Sequence, residues 1–189
     1  MIKKIYQTEV VPQLKGELGK GNIYGVPTVV KIVVNMGVGA ERGNKESLEK
    51  AKEELAKVTG QAPAVRLAKK AVASFNLKKG ELVGLTVTLR GKRMWDFLEK
   101  LIKIVLPRTK GFKGISRKSF DRRGNLTIGI EGHTSFPEVD PHKVDKVRGM
   151  EVTIVTNSGN DEKAYRVLKG LGMPFREDAS KGSLVSPGK

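Results

Sequence analysis

Leu82-Val-Gly-Leu-Thr-Val-Thr-Leu-Arg90 alternates along an extended segment, with Val83, Leu85, Val87 and Leu89 on one face and Gly84, Thr86, Thr88 and Arg90 on the other. A period of two marks a strand buried on one side. Two further segments repeat it. In Thr28–Met36 the residues Val30, Ile32, Val34 and Met36 share a face, opposite Lys31 and Asn35 with Val29 and Val33. In Val152–Asn157 the polar residues Thr153 and Asn157 fall together. Leu126–Ile130 and Ala64–Leu67 are shorter strand candidates.

The segments between them read as helices. Ile2, Tyr6, Val10, Leu14 and Leu18 recur every four residues, giving an N-terminal helix over about 2–18 that Pro12 weakens or splits. Asn44 is placed as an N-cap before Leu48, Ala51, Leu55 and Val58, with Gly60 as the stop. Met94–Leu106 carries Trp95, Leu98, Leu101, Ile102 and Val105 up to Pro107. Asp161–Leu171 turns Ala164, Val167, Leu168 and Leu171 inward before Gly172 and Pro174. Amphipathic helices can cover only the apolar face of the sheet. The expected class is therefore α+β, a single domain over residues 1–175 of the ferredoxin-like or RRM-like kind. Helices pack on one face of an antiparallel sheet and leave the other, polar face open for binding. Gly19–Pro27 is expected to be a loop, and residues 176–189, rich in Ser, Gly and Lys, a disordered tail.

Charge indicates what that face meets. The 189 residues carry a formal net charge of +16, and Arg66 to Arg123 holds 17 Lys or Arg against 4 Asp or Glu. Residues 124–189 hold 9 of each, so the excess is local. Concentrated positive charge favours a polyphosphate, because each Lys or Arg on a phosphate releases condensed counterions. Two basic loops lie in the stretch. Lys69–Gly80 has no period and sets Lys69, Lys70, Lys78 and Lys79 around Phe75 and Leu77, with Phe75 either folded back on the core or standing out for a partner. Arg108–Gly124 is longer than loops of compact domains usually are, which marks it as functional or anchored by a partner. The polar strand faces lack Phe, Tyr and Trp. That disfavours stacking of splayed single strands and favours structured RNA met through backbone, sugar hydroxyls and a few base edges.

Other classes fall away. Without cysteine there are no disulfides or thiolate metal sites, which fits a reducing compartment. No apolar run nears membrane-spanning length and no apolar signal core follows the basic start, so a cytoplasmic protein without a membrane partner is expected. His133 and His142, the two histidines, lack metal-ligand spacing and read as surface loop residues. Glu138, Asp140 and Asp145, interleaved with Lys143, Lys146 and Arg148, read as a solvated or ion-paired loop rather than as acid–base machinery. Gly37-Val-Gly39 has its next glycine at Gly43, one residue late for a dinucleotide fingerprint, with Arg42 in the way. A tight strand-to-helix turn is the better reading. No Ser–His–Asp set or P-loop is present. No catalytic residue, metal or cofactor is expected, and the chain is not read as an enzyme.

Twelve segments in order then carry a resemblance: Lys31-Ile-Val-Val-Asn-Met-Gly-Val-Gly39, Thr59-Gly-Gln61, Ala68-Lys-Lys70, Ser74-Phe-Asn-Leu77, Val87-Thr-Leu-Arg-Gly91, Arg93-Met-Trp-Asp-Phe-Leu98, Leu106-Pro-Arg108, Lys118-Ser-Phe-Asp121, Arg123-Gly-Asn125, Phe136-Pro-Glu138, Val144-Asp-Lys-Val-Arg-Gly-Met150 and Leu171-Gly-Met-Pro-Phe175. From about Val26 to Phe175 the chain resembles the bacterial-type large-subunit ribosomal protein L-five family, the 5S rRNA binders. Two departures stand out. Arg122 occupies a position where the family commonly has Gly, and Gly132-His-Thr-Ser135 replaces a more polar-then-aliphatic stretch. The resemblance implies that Asn35, Gln61, Thr88 and Arg90 meet 5S rRNA, with Lys31 as an electrostatic helper. It further implies that the Lys69–Gly80 loop reaches P-site tRNA, through Lys69, Lys70, Phe75, Lys78 and Lys79. Loops within 108–145 would meet a protein of the small-subunit head in an intersubunit bridge, with Arg108, Lys110, Lys113, Lys143 and Lys146 as the candidates. The implied partners also include 23S-type rRNA and other large-subunit proteins, and no homo-oligomer. The implied role is a scaffold that anchors 5S rRNA in the central protuberance. A free-standing RNA-binding regulator or chaperone on the same fold is the alternative, with a nucleotide-binding enzyme using Gly37–Gly43 far behind.

Overall fold

The alternating segments pair into one antiparallel sheet. The computed structural model describes residues 2–17, 25–41 and 44–176. Leu18, the expected loop from Gly19 to Tyr24, Arg42 with Gly43, and the tail beyond Arg176 lie outside the described residues. β1 (Val29–Gly37), β2 (Ala64–Leu67), β3 (Leu82–Leu89), β4 (Leu126–Ile130) and β5 (Met150–Thr156) stand in the order β2-β3-β1-β5-β4. With the Lys45–Thr59 helix after β1 and the Gly91–Lys100 helix after β3, the order β2-β3-β1-β5 is that of a ferredoxin-like β-α-β-β-α-β unit, and β4 is added outside β5.

The helices cover one face. Ile32, Val34 and Met36 of β1, Leu85, Val87 and Leu89 of β3, and Val152 and Ile154 of β5 are all buried there, in one cluster with Leu55, Leu98, Leu101 and Leu168 of the helices. Burying each such side chain contributes about 1.5–3 kcal/mol over leaving it exposed. Asn44 caps the Lys45–Thr59 helix, its side-chain oxygen accepting from Ser47 N at 3.1 Å, and Gly60 ends it in the left-handed region at φ 67°. No helix is long and apolar enough to cross a membrane among the described residues.

Alternation fails at two bulges, and both correct the sequence reading. The β1–β5 register slips between Val29 and Lys31, so Val29 is buried and Val30, expected with Ile32, is exposed. The β2–β3 register slips between Arg66 and Leu67, and Val83 faces outward while Leu85 faces the core. One extra residue in a pair moves every side chain beyond it to the other face. At Gly84 a side chain has little room, because a Cβ would lie 3.1 Å from the Met36 carbonyl oxygen.

Neither proline ends its helix. The N-terminal helix runs as Ile2–Ile5, a wide π-type turn Tyr6–Val10, and Val11–Glu17. The later one runs as Gly91–Lys100, a π-type turn Leu101–Val105, and Leu106–Arg108. Pro12 and Pro107 each follow the wide turn by two residues. Proline lacks an N–H and crowds the carbonyl four residues back; the extra residue in the preceding turn takes up that misfit.

The 108–124 loop is anchored, but by its own chain. Ile115 N donates to Pro174 O and Arg176 N to Ile115 O, both at 2.9 Å, and Ile115 is buried.

Candidate nucleic-acid interface

Register places the first group of candidate residues on the open face. Val33 pairs with Thr88 and Asn35 with Thr86, so Asn35 and Thr88 are diagonal neighbours. Ile32 pairs with Leu89, and Lys31 and Arg90 therefore follow at the end of the same ladder. Gln61 arrives from the other side of the sheet edge, after Gly60 turns the chain, and its Nε2 donates to the Thr88 carbonyl at 3.3 Å. The structure thus brings Lys31, Asn35, Gln61, Thr88 and Arg90 together on the β1–β3 half of the sheet. Asn35 and Arg90 are exposed, while Lys31, Gln61 and Thr88 are half-buried. Thr86 Oγ1 donates to Asn35 Oδ1 at 3.2 Å. Arg90 precedes the Gly91–Lys100 helix without capping it through its side chain. This half of the face is rich in donors. The β5–β4 half carries Glu151 beside Gly129 instead, and Thr127 bonded to Thr153 at 3.1 Å.

The Lys69–Gly80 segment is more ordered than its lack of period suggests. Ala68 N donates to Glu81 O at 2.8 Å and Gly80 N to Ala68 O at 2.9 Å, which extends the β2–β3 hairpin. Val72 and Leu77 form an isolated bridge around a single 3-10 turn, Ala73–Phe75, and Asn76 adopts φ 46°. Phe75 tops that turn at 73% exposure, so it does not fold back on the core. Lys69, Lys70, Lys78 and Lys79 flank that turn along the chain, all exposed.

The third group divides. Lys110 and Lys113 line a hollow against Thr127–Glu131 of β4 and its end, with Arg108 exposed just before them. Lys143 lines a groove against Lys50–Lys57 of the helix, 3.9 Å from Asp140, and Lys146 is exposed nearby. These are two settings, not one cluster.

A buried polar cluster escaped the sequence reading. His133, expected on the surface, is fully buried, and Arg148, expected in a solvated or ion-paired loop, is ion-paired and only 3% exposed. Arg148 Nε donates to Glu41 Oε1 at 2.7 Å, Nη1 to Glu54 Oε2 at 2.8 Å, and Nη2 to Ser47 Oγ at 3.1 Å. Asp145 lies 3.1 Å from Nη1. His133 Nδ1 accepts from Arg148 N at 3.1 Å, and its Nε2 lies 3.1 Å from Glu54 Oε2 without hydrogen-bond alignment. Burial pulls the Arg148 guanidinium down, but its bonds to Glu41 and Asp145 more than reverse that and hold it above its ordinary value. The same bond holds the Asp145 carboxyl below the usual range. The cluster ties the β4–β5 connection to the Lys45–Thr59 helix. Its signal in the sequence was weak, because the partners lie about a hundred positions apart. No group of three or more His, Cys, Asp or Glu suited to a metal occurs among the described residues.

Comparison with known proteins adds the family. Residues 22–78 match the family described as "Ribosomal protein L5", and residues 82–175 match the C-terminal part of the same ribosomal family. The chain is 52% identical over 176 residues to the large ribosomal subunit protein uL5 of Chloroflexus aurantiacus, covering 93% of this chain and 98% of that one. It is 49% identical over 175 residues to the uL5 of Microcystis aeruginosa and 48% identical over 176 to that of Symbiobacterium thermophilum, with the same coverage of both chains.

Proposed function

Since the chain belongs to the ribosomal protein L5 family, a structural and non-enzymatic constituent of the large ribosomal subunit that partners rRNA and other ribosomal proteins, we propose that its open sheet face anchors 5S rRNA in the central protuberance. The observation that carries this reading is the gathering of Lys31, Asn35, Gln61, Thr88 and Arg90 on one half of the face, free of covering helices. Amides reach base edges and 2′-hydroxyls, threonine bonds sugar or phosphate, and arginine forks onto phosphate. Structured RNA offers all of these on a surface that an uncovered sheet can meet.

The Lys69–Gly80 projection serves P-site tRNA through Lys69, Lys70, Lys78, Lys79 and the exposed Phe75. The loops bearing Arg108, Lys110 and Lys113, and separately Lys143 and Lys146, meet the head of the small subunit, while the flanks of the domain rest on 23S-type rRNA. The test is to recover the tagged chain and ask which RNA comes with it. Co-purification of 5S rRNA that survives a moderate salt wash and is lost on changing Asn35 and Arg90 is expected. Recovery of the chain without 5S rRNA would overturn the reading.

A further inference from the structure

Gln61 has a side-chain amide whose two ends are fixed by partners of opposite and unambiguous kind. Its Nε2 donates to the Thr88 backbone carbonyl at 3.3 Å, and its Oε1 accepts from Arg93 Nη1 at 3.4 Å. A carbonyl oxygen can only accept and a guanidinium can only donate, so the amide cannot be flipped without losing both bonds. The backbone beneath is also held. Gly60 makes the left-handed turn before it at φ 67°, its N–H donating to the Ala56 carbonyl at 2.8 Å. Arg93 stands in the first turn of the Gly91–Lys100 helix, is otherwise exposed, and comes from an element fixed by the buried Met94, Phe97 and Leu98.

Resting on the reading that the open face holds 5S rRNA, we propose that Arg93 is a positioning residue of that face, holding Gln61 so that it offers the RNA a hydrogen-bond donor. With one amide hydrogen on Thr88 and the oxygen turned to a cation, the remaining N–H is what Gln61 presents. Its counterpart on the RNA is an acceptor: a phosphate oxygen, a 2′-oxygen, or a base N3, N7 or carbonyl. Arg93 acts through Gln61 rather than as one more phosphate contact, and that distinction is measurable.

The experiment measures 5S rRNA affinity of the full chain over a range of salt, with thermal unfolding alongside, for Gln61→Ala, Arg93→Met, Arg93→Lys and the double variant Gln61→Ala/Arg93→Met. Each of the first two should weaken binding roughly 3–10-fold, the worth of one hydrogen bond. The double variant should be no weaker than either single one, since the residues act as a unit. Arg93→Lys, which still donates to Oε1, should recover most of the loss, and the salt slope of Arg93→Met should match wild type. Additive losses with a slope reduced by about one would make Arg93 an independent phosphate contact and overturn the proposal. Wild-type affinity of Gln61→Ala or Arg93→Met would overturn it as well. Arg90→Ala, run in parallel, separates the two levels: if it loses affinity the open face stands, and if it too binds normally the reading of the face has failed.

Discussion

Arg148 and Arg90 sit on opposite sides of one sheet and use the same guanidinium in opposite ways. Arg148, behind the sheet, is engaged by Glu41, Glu54, Asp145 and Ser47 and is almost fully buried. Arg90, on the open face, is exposed and caps nothing with its side chain. A guanidinium whose donors are met inside the chain holds the fold; one whose donors are left facing solvent is available to a ligand. The two regions should therefore fail differently when mutated.

The largest effect belongs to the buried side. Arg148→Ala leaves Glu41 and Glu54 without their shared cation, and should lower stability by about 3–5 kcal/mol. Chemical denaturation would show it, while 5S rRNA affinity of the fraction that remains folded should be close to wild type. Equal damage to binding and to stability would erase the distinction between the regions. On the open face the order reverses. Arg90→Ala should cost about 1–3 kcal/mol of RNA binding with no change in Tm. Thr88→Val keeps the branched side chain that suits a strand and should weaken binding without unfolding.

The projecting segment gives a third case. Changing Lys78 and Lys79 to Glu puts negative charge opposite phosphate and should shorten tRNA residence on reconstituted ribosomes. It should leave 5S rRNA affinity nearly intact, because the strands proposed to bind that RNA lie elsewhere. Lost 5S binding with unchanged tRNA residence would reassign the segment.

Two smaller effects bear on the frame rather than on either arginine. Lys103, by its hydrogen bond, and then the Ile2 backbone N–H hold the Glu99 carboxyl down to about 2. A carboxyl depressed on folding stabilises above its ordinary value and loses that contribution as pH falls toward the folded value. The pair should thus contribute at most about 1 kcal/mol, fading from about pH 4.5 to about pH 2. Glu99→Gln should flatten that part of an acid titration. Smallest is Arg122, a non-glycine residue held at φ 68°. Arg122→Gly should relieve left-handed strain and raise stability by about half a kcal/mol after its own entropic cost.

What could be read from the sequence follows from distance along the chain. Alternation in Leu85–Leu89, the Asn44 cap and the Gly60 stop are local, and each stands in the structure as expected. The bulges at Val30 and Val83 depend on pairing partners, so alternation extended through them gave the wrong face. His133 was misplaced for a stronger version of the same reason, and the ion-paired reading of Arg148 stood without its burial. Nothing local distinguishes a solvated Arg from one that meets Glu41 across 107 positions. The open-face residues were nameable because the family resemblance supplied them, and the register then put them side by side. Arg93 needed the structure, since only geometry shows its bond to Gln61.

The comparison turns on whether the open face carries 5S rRNA. The most direct measurement is the affinity of the full chain for 5S rRNA, wild type against Asn35→Ala/Arg90→Ala, with Tm recorded on the same samples. A loss of at least about tenfold at unchanged Tm is predicted. Wild-type affinity in the double variant, with the fold intact, would contradict it.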